Sequence, residues 1–312
     1  MINFRFHIAS LIAVFLALAL GVVMGSTVID RAIVDGLRDR INKVEDNADR
    51  ERARNDRLQS QLDQLNVYAE QSAGWAVDGQ LTDQPVAIIA ERGIDDDTVK
   101  SQGALLRQAG AAVVGILWLE QPWNLGGDGK SADALRNALG STTHNDKALR
   151  AEGISALSKR LAPGAASPGE SDVLDSLAKA GFVTLEGAGD GDVAAPSFPG
   201  SGTRALVLGG PGSSITAKNT TLELTRALVA ARTLTAVGEI DLSDTVNRGL
   251  WLAPIRTDDN LKAVVSTIDD VDVVQGRVAS ALALADLARG VAGAYGTGAG
   301  AQSAVPAFAA SG

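Results

Sequence analysis

The 312-residue sequence has no cysteine, which excludes disulfides, thiolate nucleophiles and Cys-ligated metals together. Histidine and methionine are scarce. His7, His144, Met1 and Met24 are the full set, too few for a His-rich or Met-rich soft-metal site. Basic residues are also short, with 28 Lys and Arg against 37 Asp and Glu and a net charge of -9. A nucleic-acid binder needs a basic face to displace counterions from phosphate, so that class is excluded. No series of about ten-residue apolar/polar alternations occurs, which argues against a membrane-spanning β-barrel. What is present is a chain 46% apolar and 21% charged, a composition that folds rather than stays disordered.

One long apolar run stands near the start. Ile8 to Ile29 is 22 residues without a formal charge, with its core from Leu11 to Met24. About 20 apolar residues cross a hydrocarbon core as a helix, so residues 1–29 read as a transmembrane signal-anchor. Arg5 precedes the run, while Asp30 and Arg31 cancel after it. The positive-inside rule puts the N-terminus in the cytoplasm and residues 30–312 outside. A cleaved signal peptide is the alternative, with a poor small-x-small site near Gly25.

Residues 30–75 read as a stalk. Val34, Ile41, Ala48, Asn55 and Leu62 fall at heptad position a, and Leu37, Val44, Glu51, Leu58 and Leu65 at d. β-branched residues at a and Leu at d favour a two-stranded coiled coil, and a buried Asn at one a position selects register. The expected partner is a second copy, paired in parallel. Ala48, Glu51 and Asn55 weaken the middle of the seam, so a single helix folded back on the domain stays open.

Residues 76–292 read as an extracytoplasmic, Rossmann-like, mostly parallel α/β domain. The runs Pro85–Ala90, Ala112–Leu119, Phe182–Leu185, Ala205–Leu208, Leu250–Ala253 and Ala263–Ile268 read as strands. Helices are expected after Asp95, between Ser171 and Ala180, from a Thr220–Glu223 capping box to Arg232, and from Gln275 to Arg289, with helical insertions between Pro122 and Leu161. Residues 293–312, rich in Gly, Ala and Ser, read as a flexible tail.

Two loops could hold chemistry. Gly209, Gly210 and Gly212 follow a strand and could approach a phosphate, but the loop lacks the Walker lysine and the dinucleotide spacing, and an ordinary turn explains it better. Ser266, Thr267, Asp269 and Asp270 end another strand, where carboxylates could meet a cation or ligand or simply favour the next helix. His144 sits alone in a polar loop beside Asn145 and Asp146. No catalytic constellation, metal site or cofactor motif emerges, so an enzyme is not expected.

The anchor, His7–Ser26, resembles that of the actinobacterial MctB copper-transporter family. Ser266–Asp272, Gly276–Val278, Leu282–Ala285 and Tyr295–Gly298 carry the resemblance at the other end. It implies an envelope protein of copper efflux and resistance, with copper as the transported ion and the outer membrane as a location. The same family includes a division protein, SteB, which implies an alternative: a membrane-anchored scaffold working with a cytoplasmic SteA-like partner to regulate a peptidoglycan hydrolase at the septum. No metal ligands come with the resemblance, and residues 30–312 have no cysteine or methionine to supply the sulfur that Cu(I) prefers.

Overall fold

A strand buried on both faces has no reason to alternate, and the central apolar runs obey that rule. In the computed structural model Pro85–Glu91 forms β1 and Ala112–Leu119 forms β2, paired in parallel from Pro85 opposite Ala112 to Glu91 opposite Leu119. The structure describes residues 4–307 apart from 128, 163–171, 188–194, 196–197, 199–202, 216–219 and 244–247, and the side chains of 26–33 and 113–114 are also outside it. Val183–Gly187 (β3) joins the free edge of β2 antiparallel. Arg204–Gly209 (β4), Thr235–Glu239 (β5), Val265–Ile268 (β6) and Ala294–Tyr295 (β7) extend the other side in parallel. The order β3-β2-β1-β4-β5-β6-β7 makes a mostly parallel sheet of seven strands that changes direction of growth between β1 and β4.

Successive residues of β1 enter opposite cores. Val86, Ile88 and Ala90 pack with Trp118, Leu206 and Leu208 beneath helices α2 (Asp96–Gln108) and α8 (Val274–Leu287). Ala87 and Ile89 pack with Leu117, Val207 and Val237 beneath α3 (Lys130–Leu139), α4 (Asp146–Leu161), α5 (Val173–Lys179) and α6 (Thr220–Ala230). The helix starts follow their caps. Asp95 accepts from the Thr98 N–H at 2.8 Å and Asn145 from that of Ala148 at 2.9 Å, satisfying amides that the first turn leaves open.

The apolar run and the heptads lie on one helix, α1 (Phe4–Val77). By contacts the chain divides into Met1–Asn66 and Val67–Gly312. The last turns of α1 belong to the second unit, where Ala73 and Val77 are buried in the core with α2 and α8. In the first unit Val34, Leu37, Ile41, Val44, Leu58, Leu62 and Leu65 are all solvent-exposed on the single chain.

Several expectations require correction. Leu250–Ala253 is not a strand: it is turn leading into the short helix α7 (Ala253–Arg256), whose second residue is Pro254. A proline has no N–H for a ladder but suits a helix's first turn. β5 was not anticipated. Thr220 is already helical rather than a cap, and Thr221 donates instead to Glu91; Ser171 lies outside the described residues. The expected tail is structured through most of its length. Ala294–Tyr295 is strand β7, Tyr295 is buried, and the Gly296 N–H donates to the Ser303 carbonyl at 2.9 Å. Only 308–312 fall outside the description. The reason is an open sheet edge: β6 offers unpaired backbone groups that this segment satisfies.

Candidate functional site

In a parallel α/β sheet ligands favour the crevice at the carboxyl ends of the strands where growth changes direction. Here that place lies between β1 and β4. The segments leaving β1, β4, β5 and β6 bring together Glu91, the glycine loop, Glu239 with Asp241, and Asp269 with Asp270 and Asp272.

The glycines of the loop are used for close packing. A Cβ on Gly210 would lie 2.1 Å from the Ile240 carbonyl oxygen, and one on Gly209 would lie 2.3 Å from the Trp251 ring and 2.7 Å from a Glu91 carboxylate oxygen. A Cβ on Gly212 would meet the Gly93 carbonyl at 3.0 Å. Three amides that follow the glycines are occupied as well. Ser213 N–H donates to the Gly210 carbonyl at 3.0 Å, Ser214 N–H to that of Arg92 at 2.7 Å, and Ile215 N–H to the Ser213 hydroxyl at 3.0 Å. A phosphate cradle needs such amides free. This loop is closed on itself and on the segment after β1.

The acids after β6 are similarly engaged. Asp269 has no exposed side-chain surface; one oxygen accepts from Arg256 at 2.9 Å and the other from the N–H groups of Thr297 and Gly298 at 2.8 and 2.9 Å. Thr267 Oγ1 accepts from Arg256 Nε at 2.9 Å, and Ser266 Oγ from Gly293 N–H at 3.4 Å. Asp272 takes a two-pronged bond from Arg248 at 2.8 and 3.0 Å. Asp270 is different. It is buried, its Oδ1 has no hydrogen-bond partner, and burial together with the Asp269 charge pushes its pKa up to about 6.

Two acids that the sequence reading passed over join this group. Burial pushes Glu239 up to about 7, although the Gly249 N–H donates to its Oε2 at 2.6 Å; the charges of Asp241 and Asp269 add to the rise. Burial also raises Glu91, against the hydrogen bonds it receives from Thr221 and Ser213. Each ends a strand of otherwise small or apolar residues, β5 and β1. An acid closing a buried run was the available signal.

Among the described residues no group of three or more His, Cys, Asp or Glu is arranged to hold a metal ion. His144 is exposed beside the α4 cap. Beside Arg256 and Thr267 a cavity of about 360 Å³ opens toward Ala294 and Gln302 at the β6–β7 edge. Among the described residues the chemistry of the crevice is largely adhesive: ion pairs and amide–carboxylate bonds join loops. In the first unit, Phe4–Gly25 is 22 residues of helix, long and apolar enough to cross a membrane.

The model of a family described as "Copper transport outer membrane protein, MctB" matches residues 1–306. Proteins named copper transporter MctB from Mycobacterium bovis and Mycobacterium tuberculosis are 30% identical over 97% of this chain and 98% of their own length. The protein of that name from Mycobacterium leprae is 29% identical over the same shares. These relatives are named for transport and not for catalysis, and they lend no support to the division-protein alternative.

Proposed function

Since the chain belongs to the MctB family, we propose that it is a membrane-anchored envelope protein that serves copper transport. The observation that carries this reading is the match over residues 1–306, which includes the apolar helix Phe4–Gly25. In this reading that helix crosses the membrane with the N-terminus cytoplasmic, and the α/β unit stands outside the cytoplasm.

Copper is cargo here rather than a resident ion. The chain has no cysteine, and Met24 lies within the apolar helix rather than in the α/β unit, so the sulfur donors that retain Cu(I) are absent from that unit. A protein that passes an ion on has no need of tight ligands. Its net charge of -9 raises the local concentration of cations without binding any one of them. A single apolar helix such as Phe4–Gly25 cannot enclose a channel, so conduction requires several chains or a larger envelope complex.

The test is intracellular copper under copper stress in a strain lacking the gene, complemented by the native gene or by a version carrying an unrelated transmembrane helix. Copper accumulation in the deletion, relieved by the native gene, supports the reading. Relief by the native anchor alone assigns the conducting role to Phe4–Gly25. Unchanged copper in the deletion overturns it.

A further inference from the structure

We propose that residues 34–65 pair with a second copy of this chain as a parallel, in-register, two-stranded coiled coil, with Asn55 setting the orientation. The inference does not depend on copper being the cargo. α1 changes character along its length. Between Phe4 and Gly25 the apolar residues surround the helix, as lipid requires, whereas from Val34 to Leu65 they form one narrow stripe with spacings of three and four. A two-in-seven stripe is too narrow for a lipid surface or a broad globular face and has the width of a coiled-coil seam. Its members are open on the single chain: Ile41 is 50% exposed, Leu62 54% and Leu65 63%.

The polar residues in the seam select a second copy and a direction. In the antiparallel register that best aligns the stripe, Asn55 faces Val44 of the partner and its amide loses water without gaining a bond. In the parallel register Asn55 faces the partner's Asn55, and the two amides can bond to each other. Glu51, at a d position, then enters a hole made by the partner's Ala48, the partner's Glu51, the partner's Arg52 and the partner's Asn55. Ala48 gives that hole room, while Arg52 and Asn55 give the carboxylate donors. Arg52 is free to change partners, since its present bond to Asp49 at 2.8 Å is an exposed pair of the weak kind. One turn earlier in the heptads, Arg40 at g stands opposite the partner's Glu45 at e, a second favourable pair. Two copies anchored in one membrane also leave it in the same direction.

The absence of native cysteine makes the test clean. Single variants N55C and L58C on the seam, and S60C on the opposite face, are made in the full chain in membranes and oxidised. Parallel pairing predicts that N55C and L58C convert most of the chain to a disulfide-linked dimer while S60C stays at background. Equal linkage at all three positions would mean chance encounter and overturns the proposal. Absence of linkage at both seam positions overturns it as well. Linkage of a V44C/N55C double variant without linkage of N55C alone identifies an antiparallel pair and overturns the orientation. The measurement reads pairing alone, so a chain that fails to export copper can still pass it, and the reverse.

Discussion

Arg256 and Asp269 face each other at 2.9 Å with almost no surface on either side chain exposed to water. The pair does more than neutralise charge. Asp269 uses its second oxygen to hold the backbone of Thr297 and Gly298, and Arg256 donates also to the carbonyl oxygens of Ala299 and Tyr295. Together the two residues clasp the segment that follows α8 onto the sheet edge.

Removing one member of a buried pair leaves the other charged and unpaired. D269A is expected to lose about 3–5 kcal/mol of stability in the α/β unit. Urea unfolding followed by tryptophan fluorescence measures it, because Trp75, Trp118, Trp123 and Trp251 all lie between residues 67 and 312. A loss no larger than that of an exposed ion pair, below about 1 kcal/mol, would refute the clasp.

The glycine loop after β4 makes a steric prediction. In G210A the new methyl would stand 2.1 Å from a backbone carbonyl, which has no flexible end to yield. The loops must part, at a cost of about 1–3 kcal/mol or more. G126A has open space around it and serves as the control, with a change near zero. Equal thermal midpoints for the two variants would show that the loop packs more loosely than described.

Stability should depend on pH through Glu239. Its carboxyl titrates at about 7 in the fold against 4.5 in the open chain, so the folded state holds the extra proton between those values. Stability contributed by this group is complete below about 4.5 and is lost as pH rises through about 7. E239Q keeps an acceptor for the Gly249 N–H and removes the titration, so its stability relative to the native chain should rise from pH 5 to pH 8. Asp270, titrating at about 6, leaves a residual slope of the same sign in the variant. Parallel pH profiles of the two proteins would count against this account.

Trp123 joins the helical insertion to the sheet. Its indole N–H donates to the Phe182 carbonyl at 2.9 Å, and its ring meets that of Phe182 edge-on with centroids 5.3 Å apart. W123A should lose about 3–5 kcal/mol. W123F keeps most of the volume and should lose less than half as much, read by the same urea titration.

Much of this arrangement was legible in the residues. β1, β2 and β4 could be read because a strand covered on both faces must be apolar at every position. The start of α2 was legible because the acids from Asp95 onward favour a helix N-terminus, whereas the Asn145 cap of α4 was not read, since the residues around it look like any polar loop. β5 escaped because Thr235-Ala236-Val237-Gly238-Glu239 is short and made of small residues, and Leu250–Ala253 misled because a buried Leu252 and a half-exposed Trp251 look alike in sequence.

Periodicity, charge and the missing cysteine belong to the chain by itself, because each depends only on residue type and spacing. From them follow the apolar helix, the apolar stripe from Val34 to Leu65, the alternation of strands with helices and the absence of thiol ligands. The use of Asp269 as a clasp, the closing of the glycine loop and the raised carboxyls of Glu239 and Asp270 were decided by tertiary structure. Each depends on which atoms arrive within 3 Å and how much water they displace, and residues separated by tens of positions supply those atoms.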